Sequence, residues 1–455
     1  MRNSIKLIII LLILSGSIPC IHSQKIIKQN VPKREAGQKD VLELRCPPIE
    51  GKVRIAVIGL GMRGSGAVYR LSQINDAEVT VICDVRAEMV KESQQILKEL
   101  GKKAAEEYTG EEDWKKICER KDLDLIYVCT QWALHTPIAV YAMKNGKHVA
   151  LEVPAALTIK ECWDLVNTAE KTRKHCMMLE NCNYDFFELN TLNMARNGLF
   201  GEIVHVEGAY IHDLRDLIFD RKNGYWNMWR LTHNAENTGN LYPTHGLGPI
   251  CHLMNIHRGD RMDYLVSIST DQFGLTEFAK AKYGENSDTA KMKFKRGDMN
   301  TTIIHTAKGK TMMIQHNITN PRPYSRIHMI SGTKGFAQKY PIQGIALDPN
   351  AHQFLPKVKM DSLIKQYEHP FISEIGEKAK EVGGHGGMDF IMDYRLIYCL
   401  KNGLPLDEDV YDAAEWSSII ELSRISTENK GASVEIPDFT RGAWNKLKTL
   451  TYYKN

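Results

Sequence analysis

Three clusters in this 455-residue sequence have residue types and spacings suited to chemistry. The first is Gly59-Leu60-Gly61-Met62-Arg63-Gly64, a G-x-G-x-x-G run behind a β-branched stretch and ahead of a helical one. In that context Gly59 permits a tight turn and Gly61 lets backbone amides approach a pyrophosphate. Gly64 allows close helix–strand packing, with the helix N-terminus facing the anion. Dinucleotide binding is the expectation. The second is Asp84, 25 residues beyond Gly59 at the end of the next apolar run. A carboxylate there can accept both ribose hydroxyls and repel a 2′-phosphate, which favours NAD over NADP. Asp84 could equally cap the helix that follows, and Arg86 would suit the phosphorylated cofactor. The third is Tyr242-Pro243-Thr244-His245, a phenol and an imidazole three residues apart in a loop ahead of a helix near Leu247. Such groups can move protons near neutral pH, although a lone histidine beside a helix is more often structural.

The elements that must hold these residues follow from periodicity. Strand signals at 53–58, 79–83, 125–129, 148–152 and 177–179 alternate with helical ones at 65–73, 87–100, 138–144 and 160–174. Repeated βα units predict a parallel sheet with helices on both faces, a dinucleotide-binding Rossmann domain over 51–181. Beyond it a helix at 188–197 precedes strand signals at 203–211, 265–270, 301–305, 311–317 and 326–330, with helices returning at 390–401 and 413–427. That change predicts a second, α+β domain over 182–455 with a large, mostly antiparallel open sheet, its C-terminal helices packing back on the first domain. The open sheet offers a surface on which two copies could pair.

Composition excludes other classes. Hydrophobic residues make up 43% and charged residues 25%, as in ordinary globular proteins, and a net charge of +4 spread along the chain implies no nucleic-acid partner. Arg2 and Lys6 flank the start, Leu7 to Leu14 is an apolar run and a polar exit ends near Ser23; residues 1–23 read as a signal peptide for export. Cys20 follows Pro19 rather than a small residue, which argues against a lipoprotein anchor, and no stretch is long enough to span a membrane. Residues 24–50 read as a polar lead-in. With Cys20 removed an odd number of cysteines remains, no C-x-x-C pair occurs, and neither a disulfide framework nor a metal site is expected.

Three further segments narrow the reading: Cys129-Thr130-Gln131-Trp132-Ala133-Leu134-His135, Glu152-Val153-Pro154, and Tyr242-Pro243-Thr244-His245 running into Gly246-Leu247-Gly248-Pro249. With the glycine loop and the sheet-rich second half they resemble the Gfo/Idh/MocA sugar oxidoreductases. More closely, the sequence resembles glycoside hydrolase family 109, the NAD-dependent α-N-acetylgalactosaminidases, from about Val53 to the C-terminal helices. The wider group typically carries Glu-Lys-Pro, whose lysine assists proton transfer; Val153 cannot, which weakens a plain sugar-dehydrogenase reading.

The resemblance implies a glycosidase that uses NAD without consuming it: oxidation at the sugar's 3-position, loss of the 2-proton with elimination of the aglycone, water addition and re-reduction, with retention. It places Met62, Arg63, Asp84, Trp132, His135, Glu152, Val153, Asn181 and Tyr242 beside the cofactor, together with Gly59, Gly61 and Gly64. Tyr210, Arg230, Tyr242, Pro243, Thr244, His245 and Tyr324 would touch a small carbohydrate or glycoconjugate. His245 is the expected principal acid/base, with Tyr242, Tyr210 and Glu152 as further catalytic candidates. Without the resemblance, Tyr210 reads as a sheet-face aromatic, Trp226 and Trp229 beside Arg230 as core, and His385, between paired glycines, as part of a tight turn. A sugar dehydrogenase and an exported NAD- and sugar-binding protein without catalysis are the alternatives.

Overall fold

The computed structural model describes residues 26–454, so the signal-peptide segment and Cys20 lie outside the described residues. The first half runs β1 (Val53–Ile58), α1 (Gly64–Leu71), β2 (Ala77–Cys83), α2 (Ala87–Glu99), β3 (Glu106–Tyr108), α3 (Asp113–Glu119), β4 (Leu125–Val128), α4 (His135–Lys144), β5 (His148–Leu151), α5 (Ile159–Thr172) and β6 (Cys176–Met178). Its six strands form one sheet in the order β3-β2-β1-β4-β5-β6, every pair parallel. Alternation along β1 divides two cores. Val53, Ile55 and Val57 face Ala67, Val68 and Leu71 of α1, whereas Ala56 and Ile58 face the core that contains Ile138, Leu165 and Val166 from α4 and α5. Strands buried on both faces read as continuous apolar runs, which is why they were legible.

The second half runs α6 (Phe186–Arg196), β7 (Ile203–Ile211), α7 (Arg215–Phe219), α8 (Trp229–Glu236), α9 (Thr244–Leu253), β8 (Met262–Ser269), α10 (Gly274–Tyr283), β9 (Asn300–Thr306), β10 (Thr311–Asn317), β11 (Met329–Gly332), β12 (Gly335–Gln338), β13 (Gly344–Leu347), α11 (Lys357–Gln366), α12 (Pro370–Val382), α13 (Met388–Asn402), α14 (Val410–Glu428) and β14 (Val434–Glu435). Its eight-stranded sheet has the order β13-β12-β11-β7-β10-β9-β8-β14. All its neighbours are antiparallel except β7 and β10, which pair in parallel, so the sheet is mixed. The strand expected at 326–330 begins only at Met329, because Ile327 (φ 59°) and His328 (φ 49°) occupy the left-handed region.

Two helices tie the halves together. α13 supplies Ile391, Leu396 and Ile397 to the core beneath β1, and α14 packs on α5, β6 and β8, with Trp416 fully buried. The lead-in is more than a polar spacer. Ile27 bridges to Val434, and Arg34 bonds Glu170 at 2.9 Å, a buried carboxylate that also receives Arg441 at 2.8 Å and the Tyr411 hydroxyl at 2.7 Å. The nine described cysteines are all free thiols, and no described helix is long and apolar enough to cross a membrane.

Candidate active site

The glycine loop leaves β1 at its carboxyl end. Gly59 has φ +86°, and a Cβ there would lie 2.7 Å from the Cys129 carbonyl carbon; a Cβ on Gly64 would lie 1.8 Å from the Gly59 oxygen. Both positions exclude any side chain. At Gly61 a Cβ would crowd the Arg86 guanidinium at 3.3 Å, so glycine keeps the loop backbone bare on the side facing Arg86, as close approach of a pyrophosphate requires. Asp84 braces this loop: Oδ2 accepts the Leu60 amide at 2.7 Å and Oδ1 accepts the Arg86 amide at 2.9 Å, with the Arg86 Nε at 3.2 Å. The Arg86 guanidinium lies in turn 4.7 Å from the ring of Trp226, a residue of the second half.

Arg63 carries the loop toward the second site. Its Nε donates to Glu152 at 2.8 Å and its Nη1 to Asp389 at 2.9 Å, and Asp389 also accepts the Asn181 amide at 2.5 Å. Burial alone would push the Asp389 carboxyl up, but the Arg63 guanidinium, His385 and Arg70 hold it well below the usual carboxylate range. His385 therefore belongs to this cluster, with Nδ1 2.9 Å from Asp389 and 3.2 Å from Arg63, and the tight-turn reading missed it.

Glu152 and Val153 follow β5, and the indole of Trp132 donates to the Val153 carbonyl at 3.1 Å. That indole stacks against Tyr242 (5.9 Å) and meets Trp229 edge-on (4.9 Å). His135 is 0% exposed, with Nδ1 2.8 Å from the Pro154 carbonyl and Nε2 2.9 Å from that of Thr130. It therefore acts on the site through the two strand-end loops it ties together. Arg230, on α8, lies within 4.6 to 6.0 Å of the rings of Tyr242, Tyr225, Trp132 and Tyr210 and donates to the Tyr225 hydroxyl at 2.6 Å. Its Nε and Nη2 are buried without a partner among the described residues. Two orphaned donors inside a ring of aromatic faces are what a ligand's oxygens would satisfy.

The position of His245 follows from glycine. α9 crosses β7 backbone to backbone: a Cβ on Gly208 would lie 2.3 Å from the Gly246 oxygen, and one on Gly246 lies 2.5 Å from the Ala209 nitrogen. This contact sets His245 beside Tyr210. His245 is not in a loop, as its neighbours suggested; it stands in the first turn of α9, because Pro243, φ −74°, already has helical geometry and starts the helix immediately. Thr244 is fully buried beneath it. The imidazole meets Tyr242 (4.9 Å) and Tyr210 (5.3 Å) edge-on, and Tyr210 bonds His212 at 3.0 Å. The ring of Tyr324, at the open rim, lies 5.1 Å from His212. Burial raises the phenol pKa of both Tyr210 and Tyr242, so each remains a neutral hydroxyl.

Behind the imidazole lies a residue that the sequence did not single out. Nδ1 of His245 is 2.6 Å from Oε1 of Glu180, whose side chain is completely buried. Burial would raise the Glu180 carboxyl, but the facing imidazole overrides it and the pKa falls below the ordinary value. With Glu180 ionised, Nδ1 is the donor of this bond, and Nε2 is the nitrogen that does not face the carboxylate. Nearby Glu408, which accepts the Asn183 amide at 2.8 Å, is pushed the other way by burial and stays protonated. Cys182 stands close enough that one ligand atom each from Glu180, Cys182 and His245 lies within 4.8 Å of the others, but Glu180 and His245 already bond each other directly.

A glycine-loop Rossmann sheet joined through Arg63, Asp389 and Asn181 to an aromatic cleft on a mixed sheet defines the Gfo/Idh/MocA oxidoreductase fold. Residues 53–180 match the oxidoreductase family NAD-binding Rossmann fold, and residues 184–446 the C-terminal domain of glycosyl hydrolase 109. An alpha-N-acetylgalactosaminidase of Bacteroides fragilis is 56% identical over 90% of this chain and 97% of its own length; a glycosyl hydrolase family 109 protein of Porphyromonas gingivalis is 52% identical over 94% of each. Among solved structures, an oxidoreductase domain protein from Kribbella flavida (17% identity, TM-score 0.62) covers 85% of this chain and 100% of its own. A scyllo-inositol dehydrogenase from Lactobacillus casei with bound NAD(H) and scyllo-inositol (13% identity, TM-score 0.59) covers 85% and 99% and shares the fold. The chain belongs to glycoside hydrolase family 109 and is a glycosidase built on an NAD-binding Rossmann fold.

Proposed function

We propose that this glycosidase removes terminal α-linked N-acetylgalactosamine, with retention, by transient oxidation at the 3-position, elimination, water addition and re-reduction. In the nucleotide loop, bound NAD would supply the hydride acceptor and donor for this cycle. The bare backbone at Gly61 beside the Arg86 guanidinium and the orphaned donors of Arg230 fit a pyrophosphate and a sugar respectively. The residues to hold the cofactor are Gly59 to Gly64, Asp84, Glu152, Val153 and Asn181, with Trp132 and Tyr242 walling the nicotinamide end.

The chain's own groups divide the remaining work. Ionised Glu180 fixes the His245 tautomer, so that Nε2 takes up the sugar's 2-proton and the imidazolium that results is stabilised by the carboxylate behind it. Tyr242 and Tyr210, held as neutral phenols, donate hydrogen bonds to the oxygen on which negative charge develops. Arg230 orients the sugar through Nε and Nη2, and Tyr324 borders the rim. The observation that carries this reading is the 2.6 Å Glu180–His245 pair edge-on to two tyrosines, beside a loop shaped for a dinucleotide. The substrate is inferred from the alpha-N-acetylgalactosaminidase of Bacteroides fragilis to which the chain is similar.

Incubation with a nitrophenyl α-N-acetylgalactosaminide should release nitrophenol with no net NADH. Stoichiometric NADH with an oxidised sugar and no nitrophenol release would instead indicate a sugar dehydrogenase. Export through residues 1–23 belongs to the same reading and is tested by N-terminal sequencing of secreted protein. Pairing of two copies across the sheet face bearing exposed Ile268 and Ile303 is tested by the mass in solution.

A further inference from the structure

We infer that Cys46, His148 and His175 form a binding site for a borderline cation of the zinc class at the edge of the parallel sheet opposite the cleft. The inference does not depend on the proposed reaction. His148 opens β5 and His175 immediately precedes β6; because Val149 pairs with Cys176, the two histidines stand side by side on neighbouring strands, their rings 5.2 Å apart. Cys46 arrives from the lead-in, with Sγ 3.5 Å from the Arg173 carbonyl oxygen and its own carbonyl packed against Gly403. One ligand atom from each of the three lies within 4.8 Å of the others.

Tetrahedral zinc with one thiolate and two imidazoles separates its ligand atoms by about 3.6 Å, so rotamer adjustments of about 1 Å would close the site. Nε2 of His175 supplies the independent sign of a missing ligand: the residue is only 5% exposed, and this nitrogen is buried with no partner among the described residues. Nδ1 of His148 accepts only a long bond, 3.2 Å, from the His175 amide, which a cation bound there would displace. Three protein ligands leave a fourth position for water. The site would pin the lead-in to the sheet, since Cys46 is the one ligand from outside it.

The test uses the untagged full chain, stripped of metal and reduced with a phosphine, and titrated with Co2+. One equivalent should bind with a thiolate-to-cobalt charge-transfer band, and zinc should displace it. Cys46→Ser should abolish the band, and both Cys46→Ser and His175→Asn should weaken zinc binding by more than about tenfold. Melting in chelator shows that each variant is folded; should His175→Asn not fold, Cys46→Ser alone decides. A wild-type protein with no charge-transfer band, or zinc affinity unchanged in folded Cys46→Ser, would overturn the inference.

Discussion

Replacing Glu180 with glutamine keeps the side chain's shape and removes only the charge behind His245. The bond it alters is 2.6 Å long, between a fully buried carboxylate and an imidazole whose side chain is 13% exposed, so solvent does little to screen it. Hydrogen bonds to charged groups contribute about 1.5–3 kcal/mol, and each 1.36 kcal/mol is tenfold in rate. In the proposed reaction the imidazole gains its proton on the way to the transition state, so that energy would be lost mainly there. Glu180→Gln should therefore lower kcat/KM by roughly tenfold to 150-fold, mostly through kcat, with bound NAD unchanged. Nitrophenol release under subsaturating substrate measures the first and absorbance of denatured supernatant the second. Activity within about twofold of wild type, in folded protein, would refute the argument that Glu180 positions His245.

Gly64→Ala forces a Cβ to within 1.8 Å of the Gly59 oxygen and should cost at least about 1–3 kcal/mol in denaturant unfolding while emptying the nucleotide loop. Glu188, fully buried against Lys339 and Arg326 at 2.7 and 2.6 Å, has its pKa lowered to about 2 from 4.5, the cations overcoming burial. Its stabilisation, about 3 kcal/mol, is present above pH 4.5 and lost as pH falls toward 2; Glu188→Gln should flatten that part of the acid unfolding curve. Arg230→Lys should weaken glycoside binding about tenfold, read as KM, because a lysine cannot replace the two buried donors, whereas NAD content should not change.

What the sequence revealed, and what it hid, follows from the range of the interactions. β4 and most of β5 were legible because strands covered on both faces are nearly continuous apolar runs, β1 and β2 because their β-branched residues dominate despite Arg54, Glu78 and Thr80, and the glycine loop because its spacing is local. The parallel β7–β10 pair was not, since alternation shows which face is buried but not which strand lies alongside. The short β12 and β13 carry too few residues for a period, and β11 was anticipated at 326–330 but begins at Met329. Tyr210, Arg230, Tyr242 and His245 lie against one another, His245 set beside Tyr210 by Gly208 against Gly246, whereas Tyr324 reaches them only through His212. Glu180 went unnoticed because its partner lies 65 residues away; the only clue was a carboxylate at the end of the last parallel strand, beside Asn181. Asp389 and His385 were hidden likewise, by a separation of 326 and 322 residues from Arg63 and by glycines that do form a turn, but a turn that carries a side chain into the cluster.

The most direct test is turnover in deuterium oxide. If the sugar's 2-proton is removed by His245 and replaced from solvent, the N-acetylgalactosamine released should carry one deuterium at carbon 2, visible by proton NMR and mass. Product that retains its original hydrogen at that carbon would contradict the account.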